Sequence, residues 1–204
     1  KNEKNKLKLS LVVIAILGII IFAFPKTVSA VTYPTYTHDW EWNYNGAAYY
    51  YNVSLTSTYL TAANNAAANW YRTGYDTNPL YPMTRTTVQS NSPMDLYNQS
   101  LDSGICGQTF FFQTGGRRVD DGTHQPSEDW LYCKIGINES YVNQYFGSSN
   151  STIKKVLLLH EMGHVFGLAH TSSTATIMYP YLDEITVTKV TASDSAALVQ
   201  KLHF

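Results

Sequence analysis

Three of the six histidines of this 204-residue chain fall within one stretch of eleven residues, HEMGHVFGLAH, at 160–170. His160 and His164 are four residues apart, so on a helix their imidazoles project from one face and can bind one metal ion. Glu161 lies beside that face, where its carboxylate can take a proton from a water molecule bound to the ion. The H-E-x-x-H spacing therefore predicts zinc-assisted hydrolysis.

The third histidine needs a change of chain direction to reach the same ion. A helix that continued past Gly167 would carry His170 away along its axis, whereas a glycine in the left-handed conformation lets the chain fold back. His170 then completes three protein ligands, and zinc with three ligands keeps a fourth position open for water, as in catalytic sites. The alternative is that these are ordinary helix histidines, but five fixed positions within eleven residues favour the metal site.

The elements that must position this motif follow no regular alternation along the chain. An alanine-rich helix is predicted from Ser57 or Thr58 to about Gly74, and an apolar helix from Ser151 or Thr152 to Gly167. A final helix is predicted from about Ser193. Strand composition occurs at 47–56, 84–89, 94–99, 109–114 and 130–138. Because helices and strands do not alternate regularly, we expect an α+β fold.

The first thirty residues are typical of a secretory signal peptide. Four lysines precede an uncharged segment from Leu9 to Pro25, and small residues at Val28 and Ala30 mark a cleavage site after Ala30. An uncleaved membrane anchor is the alternative, because seventeen uncharged residues lie at the lower limit of a membrane span. We therefore expect a signal peptide at 1–30 and one domain at 31–204, secreted and without stable membrane association after cleavage.

The charge of the remaining chain excludes some partners. Without the five lysines and one glutamate of residues 1–30, nine basic and fourteen acidic residues remain, a net charge of about −5. A mildly acidic protein has no electrostatic reason to bind nucleic acid or anionic lipid. We therefore expect neither nucleic acid nor an anionic membrane surface as a partner.

The two cysteines, Cys106 and Cys133, predict a disulfide bond if the chain is exported. The bridge would close a loop of 28 residues and stabilise the fold by about 3–4 kcal/mol in the chain-entropy model. The alternatives are two free thiols, or one thiolate that binds a metal.

A methionine downstream of the motif indicates a family. Met178 follows His170 by eight residues and begins the run Met-Tyr-Pro. Together with the histidine motif, it makes the chain resemble the metzincin clan of zinc endopeptidases, in which a methionine turn lies beneath the metal ligands. The Met-Tyr-Pro run is most similar to the matrixin family, the matrix metalloproteinases and their bacterial relatives.

The resemblance implies a fold and a mechanism. The fold would be a twisted, mostly parallel sheet with an antiparallel edge strand, a long active-site helix and a C-terminal helix. His160, His164 and His170 would bind one catalytic zinc ion, with Met178 beneath them. Glu161 would be the general base and then the proton shuttle to the leaving amine.

The resemblance also implies a substrate cleft. The edge strand with Phe110, Phe111 and Phe112 would pair with an extended substrate by β-augmentation. The pocket for the residue after the scissile bond would be walled by Pro180, Tyr181 and Leu182. Val156, one turn before His160, is small and apolar. We therefore expect substrates to carry an apolar residue directly after the scissile bond. Asp194 falls where matrixins carry a buried structural aspartate, although a first-turn helix acid explains it equally well.

Departures from the family pattern limit these implications. Leu182 stands where matrixins have a second tyrosine, so the pocket wall differs in detail. The histidines outside the motif, His38, His124 and His203, are too scattered for a second zinc. Calcium at Asp120, Asp121 or Asp129 is an open possibility, with a solvated acidic loop as the alternative. No Pro-Arg-Cys-Gly switch occurs after Ala30. An inactive adhesion protein with this fold is the competing function, and the presence of Glu161 favours the enzyme.

Overall fold

A computed structural model describes residues 37–39, 41–42, 49–75, 83–120 and 125–201. The predicted signal peptide, residues 1–30, lies outside the described residues. Within the described part of the chain, no helix is both long and apolar enough to cross a membrane.

In the part of the chain that the structure describes, one five-stranded sheet forms the framework of the fold. Its spatial order is β2-β1-β3-β5-β4. All neighbouring strands are parallel except β4, which pairs antiparallel with β5 at the edge. This arrangement confirms the mostly parallel sheet with an antiparallel edge strand. The strands are β1 (Tyr49–Asn52), β2 (Thr84–Arg85), β3 (Met94–Asn98), β4 (Gly107–Phe112) and β5 (Tyr132–Ile137).

Within the described ranges four α-helices accompany the sheet, so the α+β prediction is also confirmed. They are α1 (Ser57–Tyr71), α2 (Glu139–Phe146), α3 (Ser151–Val165) and α4 (Ala192–Lys201). The active-site motif lies in the last turns of α3, as expected. The cap of α3 is Asn150, whose side chain accepts a hydrogen bond from the backbone N–H of Ile153, rather than Ser151 or Thr152.

Helix α3 is held between α1 and the sheet. Small buried residues of α1, among them Ala63 and Ala66, let the two helices approach closely. The indole N–H of Trp70 donates to the carbonyl of Leu159 at 2.9 Å, and that of Trp130 donates to the carbonyl of Val165 at 3.3 Å. These bonds fix the turns of α3 that carry the motif.

Helix α2 was not expected from the sequence. Its residues, ESYVNQYF, include no alanine or leucine and therefore have modest helix propensity. Asn138, the last residue of the predicted strand segment 130–138, is its cap and accepts a hydrogen bond from the N–H of Tyr141 at 3.3 Å. Asn138 followed by Glu139 in the first turn was the available signal.

The second predicted strand is shorter than its composition suggested. Of residues 84–89 only Thr84 and Arg85 pair in the sheet, and Gln89–Asn91 forms a 3-10 turn. Both paired residues are exposed, so little packing favours a longer strand there.

The predicted disulfide is not formed. Cys106 and Cys133 are both free thiols. Phe111 is the residue of β4 opposite Cys133, and Cys106 lies five residues earlier in the sequence. At about 3.4 Å per residue this is roughly 17 Å along the strand, whereas a disulfide needs Cα atoms within about 7 Å. The antiparallel register of β4 therefore keeps the thiols apart.

Candidate active site

The three motif histidines converge on one point. The Nε2 atoms of His160 and His164 are 3.1 Å apart, and the Nε2 atom of His170 lies 3.2 Å from each of them. His160 and His164 are buried, whereas His170 is exposed. Among the described residues these three histidines are the group of side chains that could hold a metal ion.

Backbone carbonyls set the orientation of two of the rings. Nδ1 of His160 lies 2.8 Å from the carbonyl oxygen of Ile177, and Nδ1 of His164 lies 2.8 Å from that of Leu168. A carbonyl oxygen only accepts, so each Nδ1 carries the proton and each Nε2 presents a lone pair. This arrangement of the second nitrogen is usual for histidines that bind metals.

The three nitrogens suit a zinc ion. Ligand nitrogens at about 2.05 Å from a tetrahedral ion lie about 3.3 Å from one another, close to the 3.1–3.2 Å observed. Burial, with the charge of His170 in second place, lowers the pKa of His160 to about 4. Burial also lowers the pKa values of His164 and His170. All three rings are therefore neutral at pH 7, the state in which histidine binds a metal.

The turn after α3 brings His170 back to the other two ligands. Gly167 has φ +90°, a left-handed conformation that costs glycine least. The backbone N–H of Leu168 donates to the carbonyl of Gly163 at 3.0 Å and closes the helix end. The carbonyl of Gly167 accepts from the N–H of His38, and the ammonium group of Lys201 donates to the carbonyl of His38. Helix α4 therefore supports this turn.

Met178 lies beneath the ligands in contact with the helix. Its side chain is fully buried. A Cβ atom at Gly163 would overlap the Met178 sulfur and lie 3.2 Å from the ring of Trp70. The glycine within the motif therefore makes room for the methionine floor, a role that its sequence position did not reveal.

Asp194 connects α4 to the histidine ligands. It is fully buried, and one carboxylate oxygen accepts from the N–H of Ile177 at 3.2 Å. The same oxygen accepts from the N–H and hydroxyl of Thr191 at 2.8 and 2.7 Å. Because the carbonyl of Ile177 orients His160, Asp194 fixes both the first turn of α4 and the residue whose carbonyl holds a metal-ligating histidine. The two interpretations of Asp194 are therefore compatible.

Glu161 is buried beside the ligands, against the start of β4. Its Oε2 atom lies 2.9 Å from the hydroxyl of Thr109. A Cβ atom at Gly107 would lie 2.8 Å from Oε1, so only glycine there leaves the carboxylate its space. Burial raises the pKa of Glu161 to about 8, although the hydrogen bond from Thr109 lowers it. The carboxyl group is therefore set to exchange a proton near neutral pH.

An open cleft of about 490 Å³ contains the histidines and Glu161. Pro180, Tyr181 and Leu182, the predicted wall residues, all line it. Besides His160, Glu161 and His164, helix α3 lines the cleft with Leu157, next to the predicted Val156, whose side chain is buried and is not among the lining residues. The cleft walls are thus mainly apolar near Leu157 and Leu182.

The phenylalanines of the edge strand lie elsewhere. Phe111 is fully buried in the core, and Phe110 and Phe112 are not among the residues that line the cleft. The carbonyl of Phe111 accepts a hydrogen bond from the N–H of Val119, which covers this part of β4. The cleft is lined instead by the beginning of the strand, Gly107–Thr109. Alternation along β4 places Phe111 in the core. The aromatic composition predicted substrate contacts at the end of the strand, whereas the beginning of the strand lines the cleft.

The acidic residues considered for calcium have other partners where the structure describes them. Asp120 accepts a hydrogen bond from Arg118 at 2.5 Å, and Asp129 accepts one from the N–H of Glu41 at 2.8 Å. Asp121, His124 and His203 lie outside the described residues.

Thr109, Gly107 and Gly163 are the site residues that sequence reasoning missed. Nothing in their local sequence marks them, because Thr109 and Gly107 are more than fifty residues from Glu161 in the chain. The importance of Thr109 and Gly107 arises only when β4 lies against α3, and that of Gly163 only when Met178 and Trp70 pack against it.

Comparison with known proteins agrees with this geometry. A family model described as Matrixin matches residues 38–204. A protein of Trichoplusia ni ascovirus 2c, named "Putative matrix metalloproteinase", is 26% identical over 140 residues, which are 65% of this chain and 26% of the viral protein. The chain therefore spans about a quarter of the length of that relative.

Proposed function

Because the chain belongs to the matrixin family of zinc-dependent endopeptidases, we propose that it is a secreted endopeptidase with Glu161 as general base. One observation carries the proposal. The three converging Nε2 atoms and the Glu161 carboxyl group share one open cleft, bounded by the start of the edge strand.

The chain supplies the parts that peptide hydrolysis requires. Zinc held by His160, His164 and His170 would polarise the scissile carbonyl and lower the pKa of a water molecule towards about 7. Glu161 accepts a proton from the attacking water and later delivers it to the leaving amine. The first step requires the carboxylate form, which a zinc ion bound nearby would favour over the burial that raises the pKa in the metal-free protein, and Thr109 holds the carboxyl group in place.

Substrate binding is proposed along the beginning of β4. An extended peptide would add to the sheet beside Gly107–Thr109, the part of the strand that lines the cleft. Leu157, Leu182 and Ile185 supply apolar wall to the same cleft. We therefore propose a preference for an apolar residue after the scissile bond, with proteins or peptides as substrates and a monomeric enzyme.

Cleavage of a peptide library tests the proposal. The wild-type protein should cleave after zinc loading, and a chelator should abolish cleavage. Glu161→Gln should lower kcat by about 10²–10⁴-fold, the usual contribution of a general base, while zinc content stays near one ion per chain. Equal activity in the wild type and Glu161→Gln would eliminate Glu161 as the base, and two zinc ions per chain would contradict the single site.

Secretion is a separate part of the proposal and rests on residues 1–30. Expression of the full chain in a secreting host, followed by N-terminal sequencing of the protein in the medium, should find Val31 as the first residue. Recovery of the intact chain in the membrane fraction would instead support the anchor.

A further inference from the structure

Four tyrosines line the cleft beyond the metal ligands, and we call them the tyrosine cluster. Tyr141 and Tyr145 belong to α2, and their ring centroids are 4.3 Å apart. Tyr179 and Tyr181 follow the methionine turn, with centroids 5.7 Å apart. All four line the cleft. Tyr145 and Tyr181 are 62% and 61% exposed, so ring surface is available to a ligand.

Two exposed carboxylates lie beside the tyrosine cluster, and Glu184 already accepts a hydrogen bond from the hydroxyl of Tyr179 at 2.8 Å. Asp183 lines the same cleft. Desolvation first, and then the negative charges of Glu161 and Asp183, raise the pKa of Cys106 to about 11. Asp183 also contributes, after larger causes of which desolvation is the first, to the raised pKa of Tyr141. The Asp183 carboxylate therefore interacts electrostatically with Cys106, near Glu161, and with Tyr141 of the tyrosine cluster.

No positive side chain balances this carboxylate in the part of the chain that the structure describes. None of the described residues lining the cleft is a lysine or an arginine. Among the same residues, no ion pair or side-chain hydrogen bond engages Asp183. The described lining thus combines exposed aromatic rings with a carboxylate, Asp183, that no lysine or arginine of that lining pairs with.

We propose that the tyrosine cluster and Asp183 form a subsite for a lysine or arginine side chain of the substrate. Aromatic ring faces attract a cation, and the alkyl stem of lysine or arginine can lie along apolar wall while its head reaches a carboxylate. An acidic side chain would meet repulsion from Asp183. The proposal rests on the endopeptidase function and assigns a cationic position beside the apolar one.

Binding to an inactive enzyme tests the subsite without cleavage. The full chain with Glu161→Gln is titrated with labelled peptides that keep one apolar residue fixed. Each neighbouring position carries in turn lysine, norleucine or glutamate, and fluorescence anisotropy gives Kd. At one position at least, lysine should bind about five- to tenfold more tightly than norleucine, and glutamate should bind most weakly.

Two further variants identify the residues responsible. Adding Asp183→Asn should reduce the lysine-to-norleucine ratio to about two or less and weaken its dependence on salt. Asp102→Asn is the matched control, because Asp102 is exposed and lies outside the cleft lining. Tyr145→Phe should keep the ratio, whereas Tyr145→Leu should lower it, because only the former retains a ring face.

Two results would overturn the subsite. One is equal binding of lysine and norleucine peptides at every position. The other is a lysine preference that Asp183→Asn leaves unchanged. Neither depends on cleavage: a wild-type protein that cleaves peptides but shows either result loses the subsite alone. A protein that never cleaves yet binds lysine peptides through Asp183 loses the endopeptidase function instead.

Discussion

Two parts of the cleft differ sharply in how their side chains are held. In the last turns of α3, His160, Glu161 and His164 are each less than 9% exposed, and each makes a hydrogen bond to a fixed partner. In the segment after the methionine turn, Tyr181 is 61% exposed and Asp183 lies at the surface. The wall formed by α3 is therefore buried and hydrogen-bonded. The wall formed by the segment after the methionine turn is exposed, and we call it the open wall.

The difference indicates how chemistry and specificity are divided in this fold. A buried polar group without a partner costs about 1–3 kcal/mol, so the α3 wall tolerates few changes. Exposed positions usually alter stability by less than about 0.5 kcal/mol, so the open wall can vary. We therefore expect substitutions in the α3 wall to lower stability or activity more than substitutions in the open wall.

The largest effect is expected at Asp194, which supports the buried wall from behind. Asp194→Ala leaves the N–H of Ile177 and two donors of Thr191 without their acceptor. We expect the free energy of unfolding to fall by about 3 kcal/mol. Zinc affinity should fall about 10–100-fold, because the carbonyl of Ile177 no longer holds His160. Denaturant titration and a competitive zinc assay measure the two quantities.

Asp194→Asn is the matched control for that experiment, because it keeps one oxygen acceptor and should show a smaller loss in both quantities. If Asp194→Ala lowered stability without changing zinc affinity, the link from α4 to the ligand would be refuted.

The next effect concerns the Glu161 carboxyl group and pH. Burial raises its pKa to about 8, far above the unfolded value near 4.3. The folded state thus holds a proton that the unfolded state releases, and this stability is lost as pH rises towards 8. Relative to Glu161→Gln, which keeps the three histidines, metal-free protein should lose about 1.7 kcal/mol between pH 6.5 and 8.

Glu161→Gln cannot ionise and serves as the comparison for this pH effect. Chemical unfolding of both metal-free proteins at several pH values measures the difference. Parallel pH profiles for the two proteins would show that Glu161 ionises freely in the folded state.

The same contrast explains which features the sequence predicted. His160, His164 and His170 follow from the geometry of one helix and one glycine, so local spacing identifies them. Thr109 and Gly107 reach Glu161 only through the packing of β4 on α3, which no local pattern records. The disulfide prediction failed for a related reason, because an even number of cysteines does not specify the register of β4 on β5.

The fold class was predictable for the long, strongly patterned elements. Helix α3 and strands β3 and β5 lie where apolar composition indicated them. Helix α2 was missed because its stability comes from its cap and its packing rather than from its own propensity. Helix α2 is important for the cleft because it contributes Tyr141 and Tyr145 to the tyrosine cluster.

A smaller effect is expected at Thr109, whose hydroxyl bonds to Glu161. Thr109→Val keeps the shape of the side chain and removes the donor. We expect kcat to fall about tenfold, equivalent to about 1.4 kcal/mol. The pKa of Glu161 should rise further, because the hydrogen bond now lowers it. Thr109→Ser keeps the hydroxyl and should retain most activity, and an identical loss in both variants would contradict the role of the bond.

The smallest effect is expected on the open wall, at Tyr181. Tyr181→Ala removes a ring that is 61% exposed, so the free energy of unfolding should change by less than about 0.5 kcal/mol. Tyr59→Ala makes the same substitution at a fully buried ring and should cost about 3–5 kcal/mol. Thermal and denaturant unfolding of the two variants measure the contrast. A large loss of stability in Tyr181→Ala would show that the open wall is as structural as α3, because its ring would then be required by the fold itself.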